Sequence, residues 1–327
     1  MLRYRAAALL IGFFLLGAAL HGGLQSLRWQ YAAGSLALLA CYIVATSLND
    51  IYDVEVDRLN HPAAKERPLV TGAATPEQLA LMAAILAAVS LGLAFWVGPL
   101  ALLAVLISLV VNVVYSAPPL RLCARPLYAA PVLAFAYVAL PYGIGLASAG
   151  GSVTALDARA VAAFMVLFAG RMLLKDFRDR AGDAAFGKRT FLLAYGKRAT
   201  LLTVFLCVIV GDALLLTALP ASAPLLIVTE TYFAAIAYEL YRLRRAKENA
   251  AELVAIARGA RMGNAVVLTW LGYLSLEAAG GAESERAVFA VVMAAMFWFA
   301  YLLPAPAAAS PATPARAAAA AEPARAS

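Results

Sequence analysis

Apolar residues come in long blocks along this chain, not in the alternation of a half-buried strand. Runs of about 17 to 22 apolar residues match the thickness of a bilayer core crossed by a helix. They fall near 6–24, 31–48, 78–97, 99–116, 128–148, 157–175, 198–218, 223–241, 261–278 and 286–303. The pattern predicts an all-α fold: a polytopic transmembrane helical bundle of about nine core spans, with a candidate tenth at 286–303. Gly98-Pro99 is all that divides two of the runs, which predicts a tight turn between antiparallel helices. The stretch from Pro304 to Ser327 is almost entirely Ala, Pro and Ser and cannot build a core. The expected organisation is one integral-membrane domain over 1–303 and a disordered tail over 304–327.

Composition sharpens this. Of 327 residues, 64% are hydrophobic and only 14% charged, and mean hydropathy is +0.82. Those values exclude a soluble globular domain. The net charge of +7 is concentrated between the apolar runs, which reads as membrane topology, so no nucleic-acid partner is expected. Connections alternate between a basic set (Arg3 and Arg5; Arg58, Lys65 and Arg67; Arg121 and Arg125; Lys175 to Arg198; Arg242 to Arg261) and a nearly uncharged set. The positive-inside rule places the basic set, and the N-terminus, in the cytoplasm. The MLRYR start has no convincing cleavage pattern and is read as leading into a retained first span of a cell or inner-membrane protein. Three scattered cysteines and two histidines give neither a disulfide framework nor a soft-metal site.

Polar chemistry gathers at the ends of two apolar runs. Asp50, Asp53 and Asp57 fall at i, i+3 and i+7, on one helical face, with Asn49 beside them. Asp176, Asp179 and Asp183 repeat the spacing D-x2-D-x3-D. Carboxylates stacked on one face repel, so each triplet is destabilising unless cations bind there. Two matching copies in two halves suggest an internal repeat whose acidic faces could oppose each other and hold divalent cations, which in turn could hold a diphosphate. Hard oxygen donors without Cys or His suit Mg2+. The bland alternative is a pair of solvated helix ends. Lys65, Arg67, Arg121, Lys175, Arg178, Lys188 and Arg189 are candidate diphosphate contacts, although Arg58, Arg178 and Arg180 could instead pair with neighbouring carboxylates or lipid headgroups. Tyr115, just before Pro118-Pro119, could face a carbocation or belong to the interfacial aromatic belt.

Three blocks taken together resemble the UbiA-type superfamily of intramembrane prenyltransferases over about 1–278: Asn49-Asp50-x2-Asp53-x3-Asp57 with Arg67-Pro68 and Gly72; Tyr115-Ser116-x-Pro118-Pro119-x-Arg121-Leu122; and Lys175-Asp176-x2-Asp179-x2-Gly182-Asp183-x3-Gly187-x2-Thr190. The resemblance implies a helical bundle, usually of nine spans, around a central cavity that opens sideways to lipid. It implies two Mg2+ ions bridging an isoprenyl diphosphate donor between the aspartate motifs, with Asn49, Asp50, Asp53, Asp57, Asp176, Asp179 and Asp183 as metal and diphosphate residues. Asp53, Asp57, Asp179, Asp183 and Tyr115 are the expected catalytic residues, and Asn49, Lys65, Arg67, Arg121, Lys175 and Lys188 the expected diphosphate contacts. Leu122-Cys123 departs from the lysine that often follows in relatives. His61 to Pro68 is similar to relatives that transfer a sugar phosphate, but the second aspartate block argues against that activity. The acceptor partner is expected to be hydrophobic, an aromatic quinone or phenolic precursor, with a glycerophosphate lipid or tetrapyrrole acid as the alternative.

Other classes fit less well. A secondary transporter would carry its acids at the midplane rather than at span ends. A CDP-alcohol phosphotransferase needs one dense acidic motif that this chain lacks. A non-catalytic scaffold would have lost aspartates that here are intact.

Overall fold

The structure, a computed structural model, describes residues 4–21, 28–60, 67–218 and 222–303. Its helices are α1 (Tyr4–Ala19), α2 (Trp29–Tyr52), α3 (Val54–Asn60), α4 (Pro68–Thr71), α5 (Pro76–Val97), α6 (Pro99–Ser116), α7 (Ala129–Ala134), α8 (Leu140–Ser148), α9 (Ala155–Leu173), α10 (Asp176–Ala185), α11 (Phe191–Ala218), α12 (Ala223–Arg245), α13 (Asn249–Ala278) and α14 (Glu283–Leu302). A π-helical turn, Phe135–Ala139, joins α7 to α8 into one rod. No strand occurs among the described residues. Every apolar run in the sequence coincides with a long helix or rod, and seven of these are long and apolar enough to cross a membrane on length and composition alone. The protein is an integral-membrane helical bundle. The tail at 304–327 lies outside the described residues.

Local sequence explains the helix ends. Thr75 and Gln78 form a reciprocal capping box at the start of α5, with Pro76 in the first turn. Gly98, at φ 141°, turns the chain so that Pro99 can open α6, as the sequence predicts. One expectation needs correcting. The basic stretch from Arg242 to Arg261 is not an open connection: α12 runs to Arg245 and α13 begins at Asn249. Two of its charges are paired, within α12 and across to neighbouring helices. Arg242 meets Glu239 at 3.2 Å, and Arg180 and Lys197 reach Glu252 at 2.7 and 2.6 Å. Helices that continue past their apolar runs on charged residues give no span signal in hydropathy.

The two acid-bearing segments occupy matching places. α2 packs along α5 as α9 packs along α11, while α3 meets α10. α1 lies against α8 and α13. Glycine makes the α1–α8 approach possible: a Cβ at Gly145 would overlap the Phe14 carbonyl, and one at Gly17 the Tyr142 carbonyl. At the end of the bundle away from the acids, buried Asp157 binds α1, α8 and α9 together. It accepts from the Thr154 backbone and hydroxyl at 2.7 and 2.6 Å and from the Tyr142 hydroxyl, and lies 3.0 Å from His21 Nε2. α14, the candidate tenth span, packs on α13 and α12. It is held where the Tyr301 hydroxyl donates to Glu239 at 2.5 Å and Arg261 to the Ala300 carbonyl at 2.5 Å. Its outer face, with Val288, Val291, Met296 and Phe299, is exposed and apolar, as a lipid-facing surface should be.

The glycine packing is directly testable. Gly145→Ala should destabilise the protein by about 1–3 kcal/mol or more, the usual range for overpacking. This would be read as a lower thermal midpoint in detergent. Gly143→Ala, whose new methyl would meet nothing within 4 Å, is the control and should leave the midpoint unchanged.

Candidate active site

The first triplet is not a straight stripe. α2 ends at Tyr52, and Asp53 sits at the joint with φ −113° and ψ 16° before α3 resumes at Val54. The break aims the three carboxylates differently, although all are buried, at 2%, 4% and 6% exposure for Asp50, Asp53 and Asp57. Arg67, just before α4, lies 3.7 Å from Asp50 and pairs with Asp57. The Asn49 amide donates to Asp53 at 3.0 Å. Arg121, in the turn after Pro118-Pro119, donates to Asp53 at 2.7 Å and to the Tyr52 carbonyl at 3.2 Å. It holds a left-handed backbone, φ 38°, uncommon for a side-chain-bearing residue and strained by about 1–2 kcal/mol.

The second triplet lies at the start of α10, directly after α9. Lys175 is 3.8 Å and Arg178 3.0 Å from Asp179. Gly187, at φ 67°, turns the chain after α10 so that Lys188 comes back over the site. The Lys188 ammonium lies 3.0 Å from Asp53 and 3.7 Å from Asp183. One cation therefore ties the two triplets together at the same end of the bundle. Beside it is a hollow whose polar wall includes Asp176, Asp179, Asp183, Lys188, Thr190 and Tyr115. Its apolar wall is Ala130, Leu133, Met172, Leu173 and Phe191.

Charge compensation is uneven across this site. Burial pushes the Asp53 carboxyl up, but Lys188 and Arg121 outweigh it and hold the group below the usual carboxylate range. Burial works against the charge on Lys188, yet Asp53 and Asp183 raise it to about 12. Across the hollow the balance reverses. Burial, then the charges of Asp183 and Asp179, push Asp176 up to about 6 against the pull of Lys175. Burial also raises Asp183, in spite of Lys188. Asp53 is held charged by two of the chain's own bases, while Asp176 and Asp183 stay raised in spite of Lys175 and Lys188. A cation added beside Asp176 and Asp183, on the wall of the hollow, would favour their charged forms. Among the described residues no three acidic side chains already close round one point. The donors are nonetheless carboxylates and an amide, hard oxygens that fit Mg2+.

The structure thus brings together Asn49, Asp53, Tyr115, Arg121, Lys175, Asp176, Asp179, Asp183 and Lys188. Asp50 and Asp57 share Arg67, which is a buried counter-ion at 8% exposure. Lys65 lies outside the described residues, and Arg189 is exposed. Arg58 pairs with Glu55 at 2.5 Å and Arg180 with Glu252, one of the two roles expected for each. Sequence reasoning passed over Cys123, Thr190 and Phe191 as lining residues. Thr190 closes the second acidic block and was the most findable. Cys123 stands near where the relatives' lysine was expected and puts a thiol, its pKa raised by burial, on the wall.

Comparison with known proteins agrees with this geometry. Residues 10–265 match the UbiA prenyltransferase family. A digeranylgeranylglyceryl phosphate synthase of Methanopyrus kandleri is 30% identical over 240 residues, 68% of this chain and 81% of that protein. The chloroplastic 2-acylphloroglucinol 4-prenyltransferase of Humulus lupulus is 29% identical over 187 residues, 54% of this chain and 44% of that protein. In fold, the chain resembles a UbiA homologue from Archaeoglobus fulgidus solved with DMAPP and Mg2+, with a TM-score of 0.56 and 21% identity over 91% of this chain and 95% of that one. A solved structure from work on digeranylgeranylglyceryl phosphate synthase in membranes gives a TM-score of 0.62 at 18% identity, covering 83% of this chain and 93% of that one. With opposed aspartate triplets at one end of an apolar bundle and a family match over most of its length, the chain belongs to the UbiA prenyltransferase family and is an intramembrane prenyltransferase.

Proposed function

We propose that the protein moves an isoprenyl group from an isoprenyl diphosphate to a hydroxyl of a glyceryl phosphate lipid, with Mg2+ required. The observation that carries the reading is the Lys188 bridge from Asp53 to Asp183, beside a hollow with an acidic wall and an apolar one. Asn49, Asp50, Asp53 and Asp57 on one side and Asp176, Asp179 and Asp183 on the other would hold the metal. Bound there, Mg2+ supplies Lewis-acid stabilisation of the negative charge that develops on departing diphosphate. Lys188, Arg121, Lys175 and Arg178 would contact the diphosphate oxygens, while Arg67 pairs with Asp57 and lies 3.7 Å from Asp50.

The bond that breaks is the donor's C1–O bond, and its electron pair leaves with diphosphate. The bond that forms joins C1 to the acceptor oxygen, whose proton is lost. Tyr115 offers its ring to the allylic cation on the hollow's wall. Below Met172, one turn deeper on α9, Phe168 stacks on Tyr137 with centroids 5.4 Å apart and meets Phe13 edge-on at 6.3 Å. Such an interior excludes water and suits a prenyl chain, whose burial contributes about 0.8 kcal/mol per CH2. The glyceryl phosphate acceptor is supported by relatives named for that product. An aromatic ring, the acceptor expected from sequence, keeps support from the hop acylphloroglucinol enzymes. Both triplets and the N-terminus are cytoplasmic in this reading, following the basic connections.

Asp53→Ala and Asp179→Ala should each lower turnover by at least about a hundredfold with Mg2+ and geranylgeranyl diphosphate. Mass spectrometry of products from a mixed pool of glyceryl phosphate lipid and phenolic acceptors decides between the two acceptor classes. Since metal displaces a proton from a ligand carboxylate, protonation of Asp176 competes with binding below its raised pKa of about 6. Apparent Mg2+ affinity should hold above pH 7 and fall by up to about tenfold per unit below pH 6. A flat profile down to pH 5 would remove Asp176 from the metal site. Single cysteines placed at Gly72 and Ala185 should both react with an impermeant thiol reagent only from the cytoplasmic side; labelling from opposite sides would contradict a shared site.

A further inference from the structure

Between the two aspartate motifs lies a contact that no metal-ligating side chain makes. Asn60 is the last residue of α3, three positions beyond Asp57. Its side chain reaches α10 and bonds there to main chain only. The Asn60 amide nitrogen donates to the Asp179 carbonyl at 2.9 Å, and the Gly182 N–H donates to the Asn60 side-chain oxygen at 2.7 Å. An uninterrupted α-helix would use those groups itself, Asp179 C=O with the N–H of 183 and Gly182 N–H with the C=O of 178. The Asn60 amide therefore competes with the helical ladder in the turn between Asp179 and Asp183. α10 is continuous through Gly182, so the Asn60 amide fixes the place of that turn against α3, and with it the place of both carboxylates.

Gly182 is shaped for this contact. A Cβ at that position would lie 2.6–2.7 Å from the nitrogen, carbon and oxygen of the Asn60 amide, closer than real atoms pack. The glycine is helical and needs no special backbone angle, so what it contributes is room for Asn60. Both partners are amide or peptide groups, so this contact is independent of pH and of the cations that fill the site. It differs in this from the Lys188 bridge, where the same carboxylates serve ammonium and metal in turn.

We infer that Asn60 is a positioning residue: by clasping the α10 backbone through Gly182 it sets the spacing and aim of the second aspartate triplet relative to the first. This rests on the Mg2+–diphosphate reading of the site and adds to it a residue that touches neither metal nor substrate. Outer-shell partners of this kind typically change metal affinity or activity by about 10–100-fold when removed.

The test uses the full chain in detergent and isothermal titration calorimetry with inorganic diphosphate and Mg2+, alongside steady-state kinetics. Asn60→Ala should weaken Mg2+–diphosphate binding by about tenfold and raise the Mg2+ needed for half-maximal activity to match, with kcat largely recovered at high Mg2+. Gly182→Ala, by displacing the amide, should do the same. The double variant should be no worse than either single, because the added methyl enters space that Asn60 has left. That non-additivity distinguishes a clasp from two unrelated losses of stability, which would multiply. If Asn60→Ala does not fold, Gly182→Ala, which keeps the amide but displaces it, carries the test by itself. Binding within twofold of wild type in the folded variants, or multiplying effects in the double, overturns the inference alone. A wild type that binds no Mg2+–diphosphate overturns the site reading and this inference together.

Discussion

Burying carboxylates at the end of a greasy bundle is the constraint from which the rest of this structure follows. A bare buried carboxylate costs several kcal/mol, and like charges on one helical face add to it. The chain meets this by bringing its own cations to the acids: Arg67 to Asp50 and Asp57, Arg121 and Lys188 to Asp53, Lys188 again to Asp183, and Lys175 and Arg178 to Asp179. The balance differs from acid to acid: Lys188 and Arg121 hold Asp53 below the usual carboxylate range, while burial keeps Asp176 above it. In the proposed reading, Asp176 and Asp183 would take a metal and the neighbouring bases would turn to the diphosphate.

The opposite end of the bundle shows how the same chemistry looks when it serves only structure. Asp157 is also buried, but Thr154, Tyr142 and His21 meet its oxygens at short range and it faces no second carboxylate triplet. With hydroxyl, backbone and imidazole partners from three segments, it fastens α1, α8 and α9 where glycines let helices touch. The acids of the active end are held largely by long, flexible lysine and arginine side chains, which can exchange partners at little cost in fold.

The medium matters to the chemistry. A prenyl chain is drawn to the apolar interior by its own hydrophobicity, while its diphosphate belongs at the polar rim. The arrangement of Met172, Phe168 and Tyr137 below the acidic wall matches that amphipathic shape. Ionisation would place a cation among aromatic faces and away from water, so that capture by the acceptor competes well with hydrolysis.

The sequence by itself determined the class of fold, the positions of the long helices and the pair of acidic motifs. Span-length apolar runs and i, i+3, i+7 spacing are local features, governed by helical geometry and bilayer thickness. It also determined family membership, because three short blocks recur in order. Only the tertiary structure decided who neutralises whom. Whether Arg67 faces a substrate or Asp57, whether Lys188 joins the two halves, and whether Arg180 seeks a lipid or Glu252 depend on helices far apart in the chain. Long basic side chains reach several partners from one backbone position, so spacing alone leaves their choice open. The break at Asp53 was equally hidden, since one residue leaving helical geometry re-aims a face without changing the pattern of residues along it. Asn60 was invisible for a related reason: its partners are backbone groups and a missing Cβ, and neither leaves a mark that pairing of residue types could detect.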